Sequence, residues 1–111
     1  MSAIRILQSL STLDYSGAEA MIMNLYRNID RDKIQFDFVV NDRTEPFVFE
    51  KEVEKLGGRI FTLPKFSGTN FVLYRKKVNQ LLQNHPEWKI IHIHNASSAM
   101  LMIDLARKHE L

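Results

Sequence analysis

Between Ile4 and Asn28 the chain changes from strand to helix periodicity across one short loop, and that change limits the folds open to it more than any other feature. Ile4, Ile6, Leu7 and Leu10 form a short, mostly apolar run of the kind a parallel strand shows when both of its faces are covered. Ser11 to Ser16 interrupt the run with small and polar residues. From Gly17 the period becomes that of a helix: Ala18, Met21, Ile22, Leu25, Tyr26 and Ile29 recur at helical spacing and are expected to line its apolar stripe. In an open α/β sheet such a junction lies at the carboxyl end of a strand, where ligands bind. The helix start adds unpaired N–H groups and a positive dipole end, so a phosphate or similar anion is the natural occupant. A lone glycine before a helix also serves as plain turn chemistry, and the junction by itself leaves both readings open.

The same alternation continues along the chain. Ile34 to Val40 reads as a second strand, after a polar connection from Asn28 to Lys33. Asn41 to Pro46 is loop, and Phe49, Val53 and Leu56 mark a short amphipathic helix ended by Gly57-Gly58, where a left-handed cap is expected. Ile60 to Leu63 is a third strand. Pro64 to Asn70 is a loop, and Phe71, Tyr74, Val78, Leu81 and Leu82 line a longer helix that ends before Pro86. Ile90, Ile91 and Ile93 form a fourth strand, and Leu101, Met102, Leu105 and Ala106 define a last helix over Ala99 to Lys108. Four strand-helix units imply right-handed crossovers and an α/β, Rossmann-like parallel sheet with helices on both faces, in the expected strand order 3-2-1-4. The 111 residues make a single domain. Doubly wound domains usually carry more strands, so the domain is expected to be a fragment of a longer protein.

Composition removes several function classes. An apolar fraction of 45% with 25% charged residues is ordinary for a globular protein, and a net charge of +2 provides no global field for nucleic acid. The absence of cysteine excludes disulfide frameworks, thiol nucleophiles and cysteine-based zinc sites. The N-terminus lacks the blocks of a signal peptide and no run reaches membrane-spanning length, so a cytoplasmic location is expected.

Several residue groups carry potential chemistry. His92 and His94 lie two apart on a strand and so share a face, but a third metal ligand is missing, since His85 and His109 fall on or beyond helices. No metal site is expected, and the bland reading of the pair is strand-end histidines satisfied by backbone. Asp30-Arg31-Asp32 has a spacing used elsewhere for a metal and a diphosphate, yet it follows a helix and precedes a strand, at the sheet edge opposite the ligand-binding one. It reads as a solvated turn. Asp42 follows the second strand as a ribose-binding acid would, but the glycine fingerprint of dinucleotide sites is absent, as is any Gly-Lys-Ser/Thr phosphate loop. A phosphoacceptor carboxylate after the third strand is also missing, because Leu63-Pro64 stands there. Lys65, Arg75, Lys76 and Lys77, interleaved with Phe66, Phe71 and Tyr74, form either a solvated helix face or a patch that docks on anionic lipid.

Tyr15-Ser16-Gly17-Ala18-Glu19, directly after the first strand, resembles the Gly-Gly-Ala-Glu segment that opens many GT-B glycosyltransferases of the retaining, family-four type, with Ser16 in place of the first glycine. Ile90-Ile91-His92-Ile93-His94 is similar to the His-x-His strand end of the same enzymes. The resemblance runs from Ile4 through the last helix. It implies the N-terminal, acceptor-side half of a two-domain enzyme that moves a sugar from a nucleotide-diphosphate donor to a hydroxyl, in bacterial surface polysaccharide or glycolipid synthesis. The donor nucleotide sugar is a substrate, and no cofactor is implied. Carried over by position, Ser16 and Gly17 would approach the donor diphosphate, Glu19 would face the acceptor, and His94 would contact the sugar, joined by Asn95. Lys65, Ser67 and Gly68 would line the acceptor cleft. The implied partners are a C-terminal domain of the same protein, the nucleotide sugar, a sugar or lipid-linked acceptor, and the inner face of the membrane as a peripheral contact. A non-catalytic Rossmann-like binding module, with the loop serving only as a helix start, is the alternative.

Overall fold

The computed structural model describes residues 3–14, 17–65, 67, 69–94 and 99–109. Its elements run β1 (Ile4–Ser9), α1 (Gly17–Asn28), β2 (Ile34–Asn41), α2 (Glu50–Lys55), β3 (Ile60–Leu63), α3 (Phe71–Asn84), β4 (Trp88–Ile93) and α4 (Ala99–Lys108). All strands are parallel and stand in the order β3-β2-β1-β4, with Ile6 opposite Phe36 on one side and Ile90 on the other. This is the Rossmann-like order expected from the alternation of periods. The strand sequence reverses direction between β1 and β4, which makes that gap the topological switch point where doubly wound sheets bind ligands.

Side chains alternate across the sheet and build two cores. On one face Ile6, Phe36, Phe38 and Val40 pack against Ile22, Met23 and Tyr26 of α1 and Val53 of α2. On the other Leu7, Val39 and Leu63 pack against Tyr74, Val78 and Leu82 of α3 and Met102 and Leu105 of α4. Strands buried on both sides explain the near-continuous apolar runs. Gly57 takes the left-handed conformation, with φ 96°, where the chain turns from α2 toward β3.

Two helix stripes differ from their sequence expectation. The inward stripe of α1 is Glu19, Ile22, Met23 and Tyr26, whereas Met21 is 61% and Leu25 48% exposed and Ala18 is exposed as well. The carboxylate at position 19 turns the helix this way, because it is drawn under the preceding loop and carries the residues one and two turns later inward with it. In α3 the first position of the stripe fails: Tyr74, Val78 and Leu82 are buried, but Phe71, Val72 and Leu73 remain 46%, 78% and 49% exposed.

Candidate functional site at the switch point

The loop between β1 and α1 is held from three directions. Leu13 is fully buried in the first core, and its carbonyl accepts the Phe49 N–H at 3.0 Å. Asp14 receives both terminal nitrogens of Arg43, at 2.7 and 2.9 Å, and the Val48 N–H at 3.0 Å, which ties the loop to the one following β2. The Arg43 hydrogen bond, followed by that backbone N–H, holds the Asp14 carboxyl below its ordinary value. Glu19, only 7% exposed, accepts the Thr12 hydroxyl at 2.9 Å and the Asp14 N–H at 3.1 Å through one oxygen. A carboxylate in the first turn of a helix also suits the positive end of the dipole.

Gly17 opens α1 in this setting. It is exposed, and a Cβ placed on it would meet no atom of the described residues within 4 Å. Tyr15 and Ser16, and with Ser16 one of the two expected phosphate-binding positions, lie outside the described residues.

Across the switch point, His92 and His94 leave the end of β4 on the same face of the sheet as Gln8 of β1, which is paired with His92 in register. The bland expectation of backbone partners for the two rings is corrected here: their shared partner is a side chain. Gln8 is fully buried, and its amide nitrogen lies 3.2 Å from His92 Nδ1 while its amide oxygen lies 3.1 Å from His94 Nε2. The two rings meet edge to face, 6.3 Å between centroids, and the His94 N–H donates to the Ser9 carbonyl at 2.9 Å. Burial first, and the neighbouring His92 second, hold the His94 imidazole below its ordinary value. That shift favours the neutral ring, which donates from one nitrogen and accepts at the other.

Gln8 is a site residue that the sequence patterns above do not single out. The available signal was a polar residue inside a strand that otherwise reads as buried on both faces.

The other expected residues lie elsewhere on the rim or outside the described residues. Lys65 and Ser67 follow β3, three strand spacings from β4 or about 14 Å. Their loop is organised by Asn70, whose side chain donates to the Lys65 carbonyl at 2.9 Å and accepts the Ser67 N–H at 3.0 Å. Gly68 and Asn95 are not among the described residues, nor is Phe66. Of the basic stretch, Lys76 and Lys77 are exposed and Arg75 pairs with Asp104 at 3.1 Å. Asp30 accepts the Asp32 N–H at 3.1 Å in an exposed turn on the opposite edge of the sheet. His85 bonds Glu87 at 2.8 Å and His109 bonds Asn79 at 2.9 Å, both away from the switch point, and among the described residues no group of three or more His, Asp or Glu is placed to hold a metal. No described helix is long and apolar enough to cross a membrane.

No family model matches the chain, and no solved structure matches it. It is 36% identical over 90 residues to a protein of Bacillus subtilis (strain 168) that bears the name "Putative glycosyltransferase EpsF". The aligned stretch is 81% of this chain but only 23% of that protein's length. The chain is thus similar in sequence to less than a quarter of that longer protein.

Proposed function

We propose that this chain is the acceptor-side, N-terminal domain of a GT-B glycosyltransferase of the retaining, family-four type, which moves a sugar from a nucleotide-diphosphate donor to an acceptor hydroxyl in surface polysaccharide or glycolipid synthesis. One observation carries the reading: the exposed helix start at Gly17 and the imidazole of His94, bonded to Gln8, follow the carboxyl ends of two adjacent strands, β1 and β4, across the gap where the strand order reverses. The helix N-terminus meets the negative charge that grows on the departing diphosphate, and it does so more in the transition state than in the ground state. Ser16, the residue before Gly17 in sequence, would offer its hydroxyl to the same charge. His94 and Asn95 contact the transferred sugar. Glu19 shapes the acceptor side by fixing the loop from Thr12 to Asp14. Lys65, Ser67 and Gly68 line the outer part of the acceptor cleft.

The nucleotide pocket belongs, in this reading, to a C-terminal domain, and no cofactor is needed beyond the donor sugar. The exposed Phe71, Val72 and Leu73, with Lys76 and Lys77 on the same helix, suit a peripheral contact with anionic lipid at the cytoplasmic side of a membrane, where a lipid-linked acceptor resides.

The test is turnover by the two-domain protein against a panel of nucleotide sugars, read as nucleoside diphosphate released. His94→Ala is expected to lower kcat by about 100-fold or more, in line with the loss of one positioned hydrogen-bonding group in the transition state. An unchanged kcat in a folded variant would overturn the assignment.

A further inference from the structure

We infer that Gln8 is a positioning residue which fixes the proton of His94 on Nε2 and leaves Nδ1 as the acceptor, by holding both imidazoles with one amide. An amide presents a donor on one side and an acceptor on the other, so two rings bonded to it must play opposite parts. The Gln8 oxygen faces His94 Nε2 at 3.1 Å, so that nitrogen must carry a proton, and the Gln8 NH2 faces His92 Nδ1 at 3.2 Å, so that nitrogen must lack one. Both neutral rings then carry their proton on Nε2, the tautomer imidazole prefers in water. Turning the amide over would force both rings into the disfavoured form at once, which favours the orientation assigned here.

The arrangement also distinguishes the two histidines. His94 keeps its bond to Gln8 whether neutral or cationic, because Nε2 donates in either state. A proton on His92 Nδ1 would set donor against donor and break that bond. Full burial of Gln8 in β1 leaves the amide little freedom to swing away, and the bond from the His94 N–H to the Ser9 carbonyl anchors the ring's backbone to the same strand. His94 is therefore the ring equipped to accept a hydrogen bond or a proton at Nδ1 with its orientation unchanged.

The inference deepens the glycosyltransferase reading, since it assigns His94 its acceptor atom toward a sugar hydroxyl, but its test requires no sugar and so fails or succeeds separately. Nitrogen-15 spectra of the imidazoles in the 111-residue chain at neutral pH report the protonation of each ring nitrogen. The wild type is expected to show a slowly exchanging proton on His94 Nε2 and a bare His92 Nδ1. Gln8→Met, which keeps the volume and removes the amide, should speed exchange of the His94 ring proton at least tenfold in a chain whose backbone amides stay dispersed. Gln8→Glu offers only acceptors and should place a proton on His92 Nδ1 while His94 keeps its own. A wild-type His94 carrying its proton on Nδ1, an exchange rate within twofold of wild type in Gln8→Met, or a bare His92 Nδ1 in Gln8→Glu would overturn the assignment.

Discussion

Asp37 is the residue on which most charge-assisted bonds converge. It is fully buried in β2, with Arg5 and Arg59 each 2.6 Å from one of its oxygens, and it also accepts the Trp88 indole N–H at 2.8 Å and the Arg59 backbone N–H at 3.1 Å. Burial pushes its carboxyl up, but the hydrogen bonds from Arg59 and Trp88 and the two guanidinium charges outweigh that and hold it below its ordinary value. The cluster clamps β1, β2 and β4 at the edge of the sheet opposite the site. Removing one partner of a buried ion pair usually costs about 3–5 kcal/mol. Here the arginine side chains are 29% and 40% exposed and can hydrate, so Asp37→Asn should cost about 2–3 kcal/mol, read as a lower urea midpoint. A depressed native pKa contributes stability above the ordinary value of 3.8 and loses it as pH falls through the native one, so the gap between wild type and Asp37→Asn should narrow on acidification below pH 3.8. A gap that widens there would show that the carboxylate is not what holds the clamp.

At the scale of elements, the connection from α2 to β3 puts two neighbouring glycines under different constraints. A Cβ on Gly58 would stand 2.7 Å from the Tyr26 hydroxyl, 2.9 Å from the Phe36 carbonyl oxygen and 2.9 Å from Val53 Cγ1, none of which can move without opening the first core. At Gly57 the obstacles are the positive φ of 96° and a single side-chain end, the Gln35 amide at 2.8 Å, which is itself held by the Leu56 carbonyl at 3.1 Å, whereas Gly58 meets backbone and core atoms on three sides. Overpacking costs about 1–3 kcal/mol or more and left-handed strain about 1–2 kcal/mol. Gly58→Ala should therefore lower the denaturation midpoint more than Gly57→Ala, and the reverse order would contradict this packing. Such elements were legible in the sequence because period and punctuation agree: strand order, the helices and the Gly57 cap all follow from local patterns. Which way a helix turns is less so, since the side-chain bonds of Glu19 decide the α1 stripe and join it to residues of the loop. The partners of buried polar residues were not legible at all. Gln8 meets His92 across 84 positions and Asp37 meets Trp88 across 51, separations that no pattern in a window of sequence can register.

For the molecule as a whole, the two outer strands of the sheet differ in what they expose. β3 has four residues and β4 six, and among the described residues β4 is paired on one side only, with β1. Beside that edge Ile90, Ile91, Ile93, Ile103 and Ala106, flanked by Lys89 and Arg107, line a groove of about 320 Å³, with Ile90 43% and Ile103 47% exposed. An apolar strand edge of this kind recruits another strand. If a strand follows α4 in the longer protein proposed above, a right-handed crossover would bring it parallel to this edge. The 111 residues alone should then satisfy the edge with a second copy. Sedimentation of the chain should show a mass that rises with concentration, whereas an Ile90→Lys, Ile103→Glu double variant should remain monomeric with its stability changed by only about 0.5 kcal/mol, as is usual for exposed positions. A version extended beyond Leu111 by the next strand should also be monomeric, because the added strand occupies the pairing edge. Association that persists in both would mean that the copies meet elsewhere, with the exposed Phe71, Val72 and Leu73 as the next surface to alter.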